Sequence, residues 1–393
     1  MVDLGDAGLT PAARRRGLLA AISSISVVGI AMGITYPLLS LLLEARGVSA
    51  TLNGLNGAMP AIAILLFSPF VPAFARRFGV RRSLLLFLAT EAGAVLCLKL
   101  FDDLWLWFPI RFVLGVSAAG LFIISETWIN QAAPDAIRGR VMAIYNMVLS
   151  GAFAVGPLII AGIGIFGWPP FLIAIFAIVA AGVPLMFASG TAPDFAGPKS
   201  RFNAFGFVRV APSLVAAVFV FAVIESAASG LLPVYGVRNG FSTESAATLI
   251  TVTIVGTIAF QLPVGWLADK MDRYGVMWMC GVVTLLCSLA LPFTVDRTWL
   301  LWLDLLLLGG LGGGIYTVAL TILGERFKGA ELMTANAAFG LMWGVGLAIG
   351  PTLAGAAMDV WDPHGFAVVL TLGSVVFVIV TGLRRLSKRR ADA

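Results

Sequence analysis

The chain has 393 residues, 60% of them hydrophobic and only 12% charged, with a formal net charge of +6. A soluble domain carries about 25% charged residues, so this composition excludes a soluble globular fold and leaves no length for a separate soluble domain. The basic excess, three cysteines and single histidine imply no nucleic-acid partner, disulfide framework or metal site, because their placement follows membrane topology instead.

A span needs roughly 20 apolar residues, and twelve such runs follow one another. Their approximate cores are 18–43, 52–74, 83–101, 104–132, 141–166 and 171–188, then 213–235, 246–268, 276–293, 299–324, 333–358 and 366–384. Arg14, Arg15 and Arg16 precede the first run, which is too long for a signal-peptide core, so no cleavable leader is expected. Cys97, Cys280 and Cys287 fall inside apolar runs and read as inert buried thiols. The expected fold class is an all-α membrane protein of twelve transmembrane helices in two pseudo-symmetric six-helix bundles. The expected division is a tail at 1–16, a first bundle at 17–188, a polar linker at 189–212, a second bundle at 213–384 and a basic tail at 385–393. The linker carries Pro193, Gly197 and Pro198, with room for a short interfacial helix near 202–210.

The loops alternate in charge. One set holds Arg14–Arg16, then Arg76, Arg77, Arg81 and Arg82, then Arg138 and Arg140. It continues with Lys199, Arg201 and Arg209, Lys270 and Arg273, Arg326 and Lys328, and the tail from Arg384 to Arg390. The opposite set holds only Arg46, Arg238 and Arg297, while Lys99 and Arg111 lie within spans. The basic set is expected on the cytoplasmic side, and an even span count puts both termini there. His364 falls in a predicted external loop beside Asp359 and Asp362, where it is expected to be solvated.

An internal repeat relates the halves. At one constant offset Trp105 matches Trp299, Gly115 matches Gly309, Gly120 matches Gly314 and Ala143 matches Ala337. Gly156-Pro157 matches Gly350-Pro351 at the same offset, and at an offset one shorter Gly47 and Ser49 match Gly240 and Ser242. Six spans per repeat insert both halves the same way up, which places a site between them near the midplane.

Ionisable side chains inside the spans are the candidate working parts. Each costs about 2.5–3.5 kcal/mol near a bilayer centre on insertion scales unless it meets a partner or a wet cavity. The fourth run carries Arg111 in its outer third, with Asp102, Asp103 and Asp304 as candidate partners; a structural ion pair and a proton- or substrate-linked role both fit. Glu126 lies about 21 residues, or roughly 30 Å, along the helix from Trp105, with Asn130 on the same face. It reads as a functional acid or a simply hydrated residue of the inner vestibule. Glu225 lies about 12 residues, or roughly 18 Å, into the seventh run, with Ser229 one turn on. It reads as a cavity-facing acid or a carboxyl held within helix packing. Glu91 and Lys99 share a face of the third run and read as structural. Tyr36-Pro37 and Tyr316-Thr317 suit a pocket for an amphipathic organic solute, or ordinary packing at a helix kink.

The loop after the eighth run reads Gly265-Trp266-Leu267-Ala268-Asp269-Lys270, followed by Asp272 and Arg273. It resembles the signature loop of the major facilitator superfamily. The glycine would permit close helix approach, and the aspartate would cap a helix end or pair with a basic residue, latching one state. The first-half counterpart, Pro72-Ala73-Phe74-Ala75-Arg76-Arg77-Phe78-Gly79, departs from that pattern, with arginine in the aspartate position. Arg111-Phe112-Val113-Leu114-Gly115 resembles the superfamily's fourth-helix arginine motif, which is linked to proton coupling. Gly156-Pro157 resembles the fifth-helix motif of exporters without its full run of glycines, and its echo at Gly350-Pro351 fits a packing role equally. Arg111, Glu126, the Gly265–Arg273 loop, and Tyr316 with Glu325 together resemble the YcaD-like branch.

The resemblance implies a transporter in a cell membrane, monomeric, without cofactor, whose partners are a small-molecule solute, protons and the lipid bilayer. Proton-coupled export is the first expectation, with coupling through Arg111, Glu126 and Glu225 and gating through Gly265, Asp269, Lys270, Arg273, Gly156, Pro157, Gly350 and Pro351. Uptake by symport or facilitated diffusion, and lipid or amphiphile translocation, are the alternatives. No nucleotide-binding glycine–lysine loop or nucleophile–base pair is present, so neither an ATP-driven pump within this chain nor an enzyme is expected.

Overall fold

The computed structural model describes residues 11–132, 138–187, 210–327 and 329–391, and every regular element among them is helical. The helices are α1 (Pro11–Ala45), α2 (Ala50–Phe67), α3 (Val71–Phe78), α4 (Val80–Leu100), α5 (Leu104–Ala132), α6 (Arg138–Ile163) and α7 (Pro169–Phe187). There follow α8 (Pro212–Arg238), α9 (Thr243–Lys270), α10 (Arg273–Thr294), α11 (Thr298–Arg326), α12 (Gly329–Val360) and α13 (Gly365–Ala391). Eleven of the described spans are long and apolar enough to cross a membrane, and Gly29–Ala45 of α1 adds a shorter apolar stretch.

The predicted runs fall on these helices one for one, with two differences. The second run is not one continuous α-helix: Ser68–Phe70 forms a 3-10 turn between α2 and α3, where Pro69 withholds a backbone N–H. The fifth ends at Ile163 rather than 166, because Gly164 turns the chain at φ 76°. The predicted interfacial helix near 202–210 and nearly all of the 189–212 linker lie outside the described residues.

Helices dominate because a backbone N–H or C=O left open in hydrocarbon costs several kcal/mol, and only a helix satisfies all of them within one segment. Buried hydroxyls follow the same rule. Ser226 donates to the Ala222 carbonyl at 2.7 Å, Thr284 to Cys280 at 2.8 Å and Ser374 to Leu370 at 2.8 Å. Helix starts are capped by Ser242 on the Ser245 N–H and by Asp272 on the Gly275 N–H.

The chain gathers into two compact units, one of Met1–Leu38 with Ile62–Pro198 and one of Leu39–Ala61 with Lys199–Ala393. In the first, α4 packs on α5 and α7, and α1 meets α6 backbone to backbone at Gly33 and Gly156. In the second, α10 packs on α11 and α13, and α8 packs on α12. These pairings correspond helix by helix, as the repeat requires.

The repeat extends to single hydrogen bonds. Gly47 and Gly240 have φ of 70° and 86°. The Gly47 N–H donates to Glu44 and the Val48 N–H to Leu43; the Gly240 N–H donates to Val237 and the Phe241 N–H to Gly236. Both helices therefore end in the same left-handed glycine cap. Two residues on, Ser49 and Ser242 cap the next helices alike, accepting from the Leu52 and Ser245 N–H groups.

Candidate functional site

In the second unit the candidate site is built on α8. From Ser213 to Gly236 this helix is mostly buried; Ala216 and Phe219 are half-buried, and so is a mid-helix line of Phe221, Glu225 and Ser229. Spacing of four residues keeps those three side chains on one face. Trp343 of α12 donates its indole N–H to Glu225 Oε2 at 3.2 Å. Among the described residues this is the only polar partner of the carboxylate, and no lysine or arginine pairs with it. Tyr316 of α11 stacks on Phe221 with centroids 5.2 Å apart and leans toward Phe339 of α12 at 6.4 Å. Thr317 turns inward on its own helix, donating to the Gly313 carbonyl, so it is a weaker candidate contact than Tyr316.

In the first unit Glu126 is exposed, and Tyr145 of α6 reaches it at 3.5 Å, the long limit of a hydrogen bond. The side chain of Asn130 lies outside the described residues. Arg111 is buried, with its guanidinium over the Tyr36 ring at 5.4 Å from the centroid. Asp103 instead caps α5 through the Trp105 N–H, and Asp304 accepts from Thr294 at 3.2 Å. Two of the three aspartates expected near Arg111 thus have other partners. The shared face of Glu91 and Lys99 leads to two different environments. Glu91 is buried with no partner on Oε2, while Lys99 lies over the Trp168 and Phe171 rings.

Several gating expectations change in detail. A Cβ on Gly265 would meet nothing within 4 Å, so this glycine does not serve close helix approach. Asp269 pairs with Arg273 at 3.6 Å; Arg273 also pairs closely with Glu325, and Lys270 lies over Trp266 at 4.2 Å. The cap of α10 is Asp272, not Asp269. Gly156 and Gly350 sit at tight crossings, against Gly33 and against Ser226 with Val223. Pro157 and Pro351 follow inside their helices, and Pro351 also contacts the positions of Gly54, Gly57 and Gly230.

Sequence reading missed a polar cluster at the ends of α1, α8 and α12 within the second unit. Arg238 grips both oxygens of Glu44 at 2.8 and 2.9 Å and reaches Asp362 at 2.8 Å. Asp359 accepts from the N–H groups of Ala50 and Thr51 at 2.9 and 2.8 Å, capping α2 with a carboxylate some 300 residues away in sequence. His364 is not simply solvated: its Nδ1 lies 3.3 Å from the Tyr235 hydroxyl. A signal for the cluster existed, since Arg238 is one of few cations on a side otherwise poor in them.

The sequence model of the Major Facilitator Superfamily matches residues 21–252 and 214–392. Among characterised and uncharacterised proteins, the chain is 25% identical over 380 residues to the uncharacterized MFS-type transporter YfkF of Bacillus subtilis, covering 91% of this chain and 93% of that one. It is 24% identical to the uncharacterized MFS-type transporter YcaD of Escherichia fergusonii, over 78% of this chain and 79% of that one. Among solved structures, the nucleoside transporter NupG superposes with a TM-score of 0.75 at 12% identity, over 93% of this chain and 98% of its own. A bacterial homolog to the human lysosomal transporter Spinster, inward-facing and unoccupied, gives 0.73 at 14% identity, over 95% and 96%. At such identities the two structures speak to the fold alone.

Proposed function

Because the chain belongs to the major facilitator superfamily, we propose that it moves a small organic solute across a cell membrane by alternating access, coupled to protons and in the outward direction. The family's members are transporters rather than enzymes. The observation that carries the coupling is Glu225: a carboxyl in the middle of a membrane-spanning helix, held by a neutral indole N–H and, among the described residues, by no cation. A carboxyl in low-dielectric surroundings favours its neutral form, and exposure to water favours release of the proton. Glu126, held at long range by a tyrosine hydroxyl, is the second proton-linked group. Arg111 and Tyr36 supply a fixed positive group against an aromatic face in the first unit. The alternation of basic loops supports a reading with both termini in the cytoplasm and a monomer as the working unit.

The test is flux into and out of proteoliposomes under an imposed pH gradient, with solutes drawn from metabolites that accumulate when the chain is deleted from cells. Wild type is expected to respond to the gradient. Glu225→Gln and Glu126→Gln are each expected to lower gradient-driven flux strongly, because neither amide can carry the proton; Glu126→Gln should leave solute counterflow little changed. Flux indifferent to the gradient in wild type, or unchanged in both variants, would rule coupling out. Solute that falls rather than rises on deletion would reverse the direction.

A further inference from the structure

We propose that the face formed by Phe221, Glu225, Tyr316 and Trp343, backed by the buried Phe339, is a binding subsite for an organic cation with a flat aromatic body. This rests on the transport reading and deepens it by naming the class of solute.

The geometry is two turn-spaced pairs, one of them carrying the carboxylate, joined by the ring of Tyr316. Phe221 and Glu225 lie four residues apart on α8, and Phe339 and Trp343 four apart on α12, so each pair shares a helix face. Tyr316 of α11 links them, stacked on Phe221 at 5.2 Å and tilted to Phe339 at 6.4 Å. The Trp343 indole N–H at 3.2 Å holds one oxygen of Glu225 and orients the carboxylate. The other oxygen receives no hydrogen bond from the described residues and is not among the buried unsatisfied atoms, so it is open to a donor. The half-buried line of α8 passes through this carboxylate, while the faces either side are sealed in the core.

Charge decides the class. Arg238, Lys270, Arg273, Arg297 and Arg326 of the second unit stand at or beside helix ends, Arg384 donates to Ser213, and none of them pairs with Glu225. An ionised carboxylate at this depth, without a cation among the described residues, suits a positive charge brought by the solute. Aromatic faces attract cations through the ring quadrupole, most strongly for tryptophan and where water is excluded. Stacked rings also favour a planar body over a branched aliphatic one. A fixed anion and rings that select positive charge, without a cation to hold a carboxylate or phosphate, point away from anionic solutes.

The test is equilibrium binding to the purified full-length protein in nanodiscs. The probes are N-methyl-4-phenylpyridinium, whose charge is permanent, and 4-phenylpyridine in mildly alkaline buffer, where it is neutral; adenosine serves as a neutral planar competitor. Wild type is expected to bind the cation about tenfold or more tightly than the neutral analogue. Glu225→Gln should remove that preference by weakening the cation alone, and Trp343→Phe should keep the preference while weakening it a few-fold. Glu225→Asp, which keeps the charge if Glu225→Gln folds poorly, should retain the preference. Equal binding of the two pyridine probes, a preference untouched by Glu225→Gln, or adenosine binding more tightly than the cation would each overturn the proposal. Charge-selective binding without any flux would count against transport while leaving the subsite standing; flux with charge-blind binding would sink the subsite alone.

Discussion

Arg238→Ala is expected to destabilise the folded protein by about 2–4 kcal/mol, somewhat less than the loss of one partner from a fully buried ion pair. Arg238 and Glu44 are each only 17% exposed and meet through two parallel N–H···O contacts, so truncating the arginine strands a carboxylate that lipid and protein both solvate badly. The bridge to Asp362 adds little, because Asp362 is 60% exposed and exposed pairs contribute on the order of 0–1 kcal/mol. Thermal unfolding in detergent of Arg238→Ala, Glu44→Ala and the double variant gives the coupling directly. The double variant should be close to the worse single one, and Asp362→Ala should hardly move the midpoint. Strictly additive single effects would mean that the pair does not hold α1 to α8. The charge-exchanged pair Glu44→Arg with Arg238→Glu should recover more of the unfolding midpoint than either single exchange.

Gly309→Ala is expected to cost about 3 kcal/mol or more, at the upper end of overpacking penalties. A Cβ there would overlap the Thr253 carbonyl, and the reciprocal position, Gly256, would overlap the Leu306 carbonyl. Helices α9 and α11 therefore touch main chain to main chain, the close approach that small residues allow between membrane helices. Gly312, three residues along the same helix, faces open space with nothing within 4 Å of an added Cβ. Gly312→Ala should be neutral or stabilise by about 0.5–1 kcal/mol, the helix-interior cost of glycine relative to alanine. The pair is read by yield of monodisperse protein and by its unfolding midpoint. Equal behaviour of the two variants would show that the crossing relaxes freely.

The fold was legible because its strongest determinant is local. An apolar run long enough to span a bilayer has to be helical whatever surrounds it, and so each of the twelve runs falls on a helix. Even the pairing of Gly47 with Gly240, visible only as two letters at similar positions, reappears as two identical helix caps. The candidate acids were legible for the same reason, since Glu126 and Glu225 stand out against apolar neighbours. Their partners were not. Nothing in the spacing of Trp343 or Tyr145 marks them as the donors those acids meet. Gly265 shows the opposite error: its place in a family motif suggested close packing, and in the fold it faces open space.

Taken alone, the order of residues determined the succession of apolar runs, the alternation of charge between loops, the duplication, and which ionisable groups lie inside apolar runs. The tertiary structure decided which way each helix is turned about its axis, and so which neutral group meets Glu225, which carboxylate caps α2 and where Arg238 binds. The reason is physical. In a membrane helix the faces toward lipid and toward neighbouring helices are both apolar, so the hydrophobic pattern that orients a helix in water carries little rotational information here. Rotation is set by close packing at glycines and by a few polar contacts between residues far apart in the chain, such as Asp359 with Ala50 and Thr51.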